Sequence, residues 1–220
     1  MSGRQVAGLK ILFGQHYDKW SWKQEQLSYT TPVYIAEKIA DLVKRLYKAK
    51  KEDPNSKIKV WDMFAGLGVD SVCLGLEDFE VHGTELFEDI YELLEKNIKS
   101  FGLEDKIKPY HSDCLEKLSE INSSFRGNND NEKLKFEYDI IYFDPPWGES
   151  FNGNKLFDFD EVTLSNGIFI IDLLREIYTN YTQNIVIKSP LKCNTFENLD
   201  FIKIKRVVIF RKHHLKFIFT

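Results

Sequence analysis

The run Tyr138-Asp139-Ile140-Ile141-Tyr142-Phe143, followed at once by Asp144-Pro145-Pro146-Trp147, limits what this chain can fold into more than any other stretch. Apolar, β-branched and aromatic side chains on nearly successive positions suit a central strand covered on both faces, as in parallel sheets. The two prolines cannot donate to a sheet ladder and they fix φ. The strand must therefore end in a stiff extended turn whose carbonyls still accept hydrogen bonds. Gly148 then permits a sharp exit. An acid, two such carbonyls and an indole face at the carboxyl end of a parallel strand make a seat for a flat base bearing an exocyclic amine. On this tetrapeptide alone, an ordinary proline-rich strand-to-loop turn is the plain alternative.

A chain of 220 residues with 43% hydrophobic content is long enough for one well-buried core. The expected division is an N-terminal arm and helix over residues 1–52 and a main domain over 53–220. Thirty Lys and Arg against 34 Asp and Glu leave a net charge of -4, so a nucleic-acid site must be a local patch rather than a global property. Cys73, Cys114 and Cys193 are scattered and lack metal-ligand spacing, which points to a reducing compartment and no structural metal. No apolar run has the length of a signal peptide or a bilayer span. The expectation is an intracellular monomer of nucleus or cytoplasm, with no membrane partner.

In chain order, residues 1–29 form an irregular or short-helical arm. There Trp20 and Trp22 stand among Tyr17, Lys19 and Lys23. Such aromatics can stack on bases or pack the arm onto the domain. Thr31 and Pro32 read as an N-cap followed by proline at the first helical position, and Ile35, Ile39, Leu42, Val43 and Leu46 follow at helical spacing. Asp53 to Ser56 break that helix. A first strand over Ile58–Met63 leads into Phe64-Ala65-Gly66-Leu67-Gly68 and a helix over Val69–Leu76. The two glycines let the backbone lie close to a ligand beside a helix N-terminus. Where a dinucleotide fingerprint wants a third glycine, Ser71 stands. A second strand over Glu80–Thr84 ends at Glu85. A helix over Phe87–Ser100 closes at Phe101-Gly102-Leu103, and a third strand over Lys106–His111 ends at Ser112-Asp113-Cys114. Asp62, Glu85 and Asp113 thus stand at three successive strand ends, the edge along which open α/β sheets bind ligands. Ser119–Lys135 reads as a flexible polar insertion and Glu149–Leu164 as a loop over the site. Gly167–Asn180 reads as a helix, Asn184–Lys188 as a fifth strand, and Phe201–Phe210 with Leu215–Phe219 as a terminal hairpin. Lys203, Lys205, Arg206, Arg211, Lys212 and Lys216 make that hairpin the most basic face, although lysines on edge strands also serve to block aggregation.

With strand, glycine turn, two strand-end acids and Asp-Pro-Pro-Trp in this order, the chain resembles the class I S-adenosylmethionine methyltransferases acting on exocyclic amines. More narrowly, it is similar to the trimethylguanosine synthase family, which methylates the 2-amino group of a 7-methylguanosine RNA cap. The likeness runs from about Gln15 to the C-terminus. It includes Gln15-His16-Tyr17, Thr31-Pro32, Asp62 through Gly68, Asn97, Asp113, Pro145-Pro146-Trp147-Gly148, Phe157-Asp158 and Asn184-Ile185-Val186 with Pro190. The resemblance implies an α/β, Rossmann-like class I methyltransferase: a mostly parallel sheet, helices on both faces, and an antiparallel C-terminal hairpin. It implies S-adenosylmethionine held by Asp62, Gly66, Gly68, Glu85, Asp113 and Cys114, with Thr31 helping to close the cofactor site. Asp144, Pro145, Pro146 and Trp147 would be catalytic, and Trp147, Lys188 and Lys192 would bind capped RNA.

Three departures carry weight. The family commonly has serine before Pro-Pro-Trp, whereas this chain has Asp144, the acid of adenine-amine methyltransferases. Val69 replaces a small residue after the glycine turn, and Leu191 and Lys192 stand where the family has an arginine. Transfer to an adenine or guanine amine of internal RNA or DNA is therefore the first alternative, and a cap-binding module without turnover the second. An NAD-dependent oxidoreductase is disfavoured by Ser71 and the Pro-Pro-Trp turn.

Overall fold

The computed structural model describes residues 3–47, 56–125, 136–147, 156–193 and 199–220. They fall into two compact units, Met1–Lys135 and Phe136–Thr220.

The first unit holds three parallel strands in the order β3-β2-β1: β1 Lys59–Asp62, β2 Glu80–Glu85 and β3 Ile107–His111. Val60 pairs with Val81, and Val81 with Ile107. The strands alternate with helices α3 Val69–Leu76, α4 Glu88–Ser100 and α5 Cys114–Phe125. Short parallel strands require such crossovers. Apolar residues at helical spacing on α4, namely Ile90, Leu94 and Ile98, are buried. The helix stops at Gly102 (φ 65), where Gly102 N-H donates to the Lys99 carbonyl and Leu103 N-H to the Ile98 carbonyl. This is the paired ending that glycine at this position allows. Ser119–Phe125, expected as part of a loose insertion, continues α5 instead; residues 126–135 lie outside the described residues. Polar composition misled there because Leu118 and Ile121 still supply a buried stripe.

The arm over residues 1–29 is more regular than its sequence suggests, with α1 over Gly3–Phe13, and the expected helix follows it as α2 over Val33–Tyr47. Trp20 is buried, stacked on Phe13 at 5.5 Å and tilted against Phe101 at 4.8 Å, so this tryptophan packs the arm onto the unit. The expected capping is corrected. The Pro32 carbonyl takes the first helical N-H groups, from Ile35 and Ala36, while the Thr31 hydroxyl donates to Asp70 Oδ2 at 2.7 Å.

In the second unit the order is β4-β5-β7-β6, with β4 Ile140–Phe143, β5 Ile185–Pro190, β6 Arg206–Phe210 and β7 Leu215–Phe219. β4 and β5 are parallel and buried along their whole length; β4 is apolar throughout, as burial on both faces requires, whereas β5 carries Lys188 and Ser189 within its buried run. β7 runs antiparallel to both β5 and β6. Helix α6, Ile170–Asn180, buries Ile170, Ile171, Leu173, Leu174 and Ile177. The hairpin turns through Arg211–His213 and His214 (φ 53). Phe201–Lys205, expected as strand, is irregular.

The seven strands form a mostly parallel Rossmann-like sheet with an antiparallel C-terminal pair and helices around it. Among the described residues, no helix is long and apolar enough to cross a membrane.

Candidate active site

In the first unit the candidate residues gather at the carboxyl ends of the strands. β1 ends at Asp62, only 1% exposed, whose Oδ2 accepts from the Ser71 hydroxyl at 2.6 Å. Ser71, noted in the sequence only as an absent glycine, therefore gives this buried carboxylate a hydrogen bond that it needs. The turn that follows places Gly66 at φ 53 and Gly68 at φ 81, conformations that other residues adopt only with strain. The two glycines differ in surroundings. A Cβ at Gly68 would meet Leu94 Cδ1 at 2.4 Å, whereas one at Gly66 would meet nothing within 4 Å. Gly68 is thus demanded by packing against α4, and Gly66 leaves open space of the kind a ligand can use.

Glu85 ties the turn to β2. Its Oε2 accepts Gly66 N-H at 3.0 Å and its Oε1 accepts Phe87 N-H at 2.9 Å. Burial pushes its carboxyl above the ordinary glutamate range, opposed by the backbone N-H groups it accepts. If Glu85 holds ligand hydroxyls as a carboxylate, donor affinity falls as pH drops, and the fall begins above the pH at which an unperturbed glutamate, near 4.3, would protonate. Calorimetry from pH 8 down to pH 4, on wild type and Glu85→Gln, checks this, and a pH profile that the substitution leaves unchanged would separate Glu85 from donor binding.

Asp113 Oδ1 accepts Leu115 N-H at 2.8 Å, capping α5, so its place has a structural cause beside any ligand role. Cys114 is buried and its thiol is pushed up to about 12, chiefly by burial, which leaves it inert as a nucleophile. Asn97 is the residue that reading by motif undervalued. Fully buried on α4, it accepts from Ser21 N-H at 2.6 Å and donates to the Ser21 and Leu67 carbonyls at 3.0 and 2.8 Å. It thereby joins the arm to the glycine turn. The legible signal was a polar residue on the apolar face of α4.

The second unit carries the remaining candidates. β4 delivers Asp144 to its carboxyl end, with Pro145 buried, Pro146 exposed, and Asp144 and Trp147 half-buried. Phe143 pairs with Ile187, so the next residues of the two strands, Asp144 and Lys188, meet. Lys188 Nζ lies 2.5 Å from Asp144 Oδ2 and 5.6 Å from the centroid of the Trp147 ring. Lys188 is 2% exposed, a burial unlike that of a phosphate-contacting surface lysine. Lys192 is exposed, and its carbonyl accepts Phe157 N-H at 2.8 Å. Phe157 in turn lies 6.4 Å from Trp147, ring to ring, and backs the indole. Lys203 and Lys205, in the irregular segment before β6, and Arg206, Arg211 and Lys212 of the hairpin are all exposed. Lys216 leaves the basic face: it is 7% exposed, donates to the Cys193 carbonyl at 3.1 Å, and has its pKa lowered by burial. Residues 149–155 of the expected loop lie outside the described residues. Among the described residues no group of His, Cys, Asp and Glu could hold a metal ion.

No curated protein matches this chain significantly. Among solved structures the fold is similar to the delta-N METTL16 MTase domain, at 13% identity and a TM-score of 0.57, over 98% of this chain and 93% of that one. It is also similar to the N-terminal domain of human METTL16 in complex with SAH, at 13% identity and a TM-score of 0.51, over 86% of this chain and 70% of that one. A hypothetical protein of Thermus thermophilus shares 13% identity at a TM-score of 0.55, over 86% of each chain. At these identities the likenesses show a common fold. The model of the RNA cap guanine-N2 methyltransferase family matches residues 57–213, from the start of β1 through the glycine turn, Glu85, Asp113 and the Asp-Pro-Pro-Trp turn to the final hairpin, and the chain belongs to that family.

Proposed function

We propose that this protein transfers a methyl group from S-adenosylmethionine to the exocyclic 2-amino group of a 7-methylguanosine RNA cap, in the manner of a trimethylguanosine synthase. The observation that carries the reading is the Asp144-Pro145-Pro146-Trp147 turn at the end of a buried parallel strand, in a chain whose family acts on cap guanines. The donor fits the first unit. Gly66 leaves space where a side chain would intrude, and Glu85 stands at the end of β2, where a carboxylate holds ribose hydroxyls.

An aromatic amine is a weak nucleophile because its lone pair is delocalised into the ring. Asp144 and a proline carbonyl accept its two N-H groups, which favours a pyramidal nitrogen with its lone pair directed away from the acceptors. The bound donor supplies a methyl already activated on a sulfonium. The protein's own contribution is therefore alignment, worth orders of magnitude when reacting groups are held in a near-attack geometry. Trp147 fixes the plane of the base by stacking, and a cationic 7-methylguanine adds a cation-π attraction of about 0.5–2 kcal/mol. As nitrogen-carbon bonding replaces sulfur-carbon bonding, the surplus amine proton leaves to Asp144 or to water. The acid-free basic set from Lys203 to Lys212, with Lys192, suits the phosphates of the RNA.

One observation favours a second reading. Asp144 stands in place of serine, and a carboxylate accepts from an adenine amine as readily as from guanine. The test is incubation with labelled donor and a panel of 7-methylguanosine-capped, unmethylated-capped and internal RNA, digested to nucleosides. Label in N2-methylated 7-methylguanosine is expected. Trp147→Phe should lower kcat/KM on the methylated cap more than on the unmethylated one, because the smaller ring holds a cation less well. Equal efficiency of the wild type on both caps, or label in internal adenosine, would replace the cap reading with the second one.

A further inference from the structure

We infer that Lys188 is a positioning and specificity residue for the acceptor base, acting through Asp144 and Trp147. The inference rests on the transfer reading above and goes beyond it in assigning what sets the charge of the base seat. Lys188 stands inside β5, whose six residues are all buried, a place where an ammonium is costly unless matched. Its match is the 2.5 Å contact with Asp144 Oδ2, and the same Nζ lies 5.6 Å from the Trp147 ring centroid, inside the roughly 6 Å range of a cation-π contact. One ammonium therefore addresses both of the groups that would hold the base.

Two consequences follow. A carboxylate offers about four lone-pair sites, so an ion pair with one oxygen fixes its rotamer without exhausting its capacity to accept from an amine. Asp144 is oriented before the base arrives. The pair also cancels charge beside Trp147. A 7-methylguanine brings a positive charge, which Lys188 alone would repel and Asp144 alone would attract. With both present the seat is nearly neutral, and discrimination between caps is left mainly to the indole. Removing either charge unmasks the other, so the two single variants must shift cap preference in opposite directions.

The experiment measures kcat and KM on 7-methylated and unmethylated capped RNA for wild type, Lys188→Met, Asp144→Asn, the double variant and Lys188→Arg, with folding followed by circular dichroism. In Lys188→Met the preference for the methylated cap should rise by about five-fold or more, as expected for unit charges separated by several ångströms near a protein surface. In Asp144→Asn it should fall by a similar factor, and in the double variant it should return close to the wild-type ratio. Lys188→Met should also lower kcat by about ten-fold or more through misorientation of Asp144. The KM for donor should stay within about two-fold of wild type in Lys188→Met. Lys188→Arg, which keeps the charge, should keep the ratio. Where Lys188→Met does not fold, Asp144→Asn against the double variant carries the same comparison. A buried pair with only a structural role would lower stability and leave the ratio untouched. A ratio unmoved in the folded variants, in a wild type that methylates caps, therefore overturns this inference alone. A wild type that transfers to neither cap overturns the transfer reading as well.

Discussion

Gly66→Val should reduce donor affinity at least 100-fold while the protein stays folded, and Gly68→Val should impair the fold itself. Both glycines sit at positive φ, where a Cβ costs about 1–2 kcal/mol. Beyond that shared penalty the two positions diverge. A Cβ on Gly66 meets no protein atom within 4 Å, so valine there projects into open space, which the proposed function assigns to the donor. One on Gly68 falls 2.4 Å from Leu94 Cδ1, and Leu94 is fully buried, so its methyl has little room to retreat. Overpacking of that kind adds about 1–3 kcal/mol to the backbone strain. Leu94→Ala placed on Gly68→Val should recover the steric part and leave the φ penalty. Calorimetric titration with donor and with its demethylated product, beside thermal melts of each variant, separates the two effects. Wild-type affinity in a folded Gly66→Val protein would remove the glycine turn from the donor site.

What the sequence disclosed and what it withheld differ for a physical reason. Strands buried on both faces and turns that need glycine or proline leave local marks. Hence β4 with its proline turn, the glycine turn after β1, and the ending of α4 at Gly102 could all be read from residue type. The partners of polar groups carry no such mark, because they are set by which strands become neighbours. Lys188 read as one more cation near a basic hairpin; only the pairing of Phe143 with Ile187 brings it to Asp144. Lys216 reads as one of the exposed bases for the same reason, although β7 is buried throughout and the Lys216 ammonium donates to the Cys193 carbonyl. Thr31 and Ser71 likewise read as a cap and a missing glycine, yet their hydroxyls serve Asp70 and Asp62 across gaps of 39 and nine residues. Hydroxyl and ammonium groups kept from water find partners wherever the fold presents them. Sequence spacing thus foretells the backbone more readily than it foretells the network behind the site.

Asp144→Ala should cost stability as well as activity, an outcome that a carboxylate kept only for substrate would not give. The substitution strips Lys188, 2% exposed, of its carboxylate while leaving the ammonium inside β5. Breaking a buried pair from one side costs about 3–5 kcal/mol, because the surviving charge stays desolvated. In a chain of this size that corresponds to a fall in Tm on the order of 10 °C. Adding Lys188→Met removes the stranded charge and puts a methionine of similar length against the neighbouring side chains. Replacement of a whole buried pair by apolar groups is often neutral. The double variant should therefore recover most of the loss, and under the proposed mechanism it should still transfer methyl poorly, because the acceptor for the amine would be gone. The coupling between the two sites, from melts of wild type, both singles and the double, is expected at about 2–3 kcal/mol. A loss below about 1 kcal/mol in Asp144→Ala, with no coupling to Lys188→Met, would mean that water reaches the ammonium and compensates it. The orientation of Asp144 would then have to come from the proline turn alone.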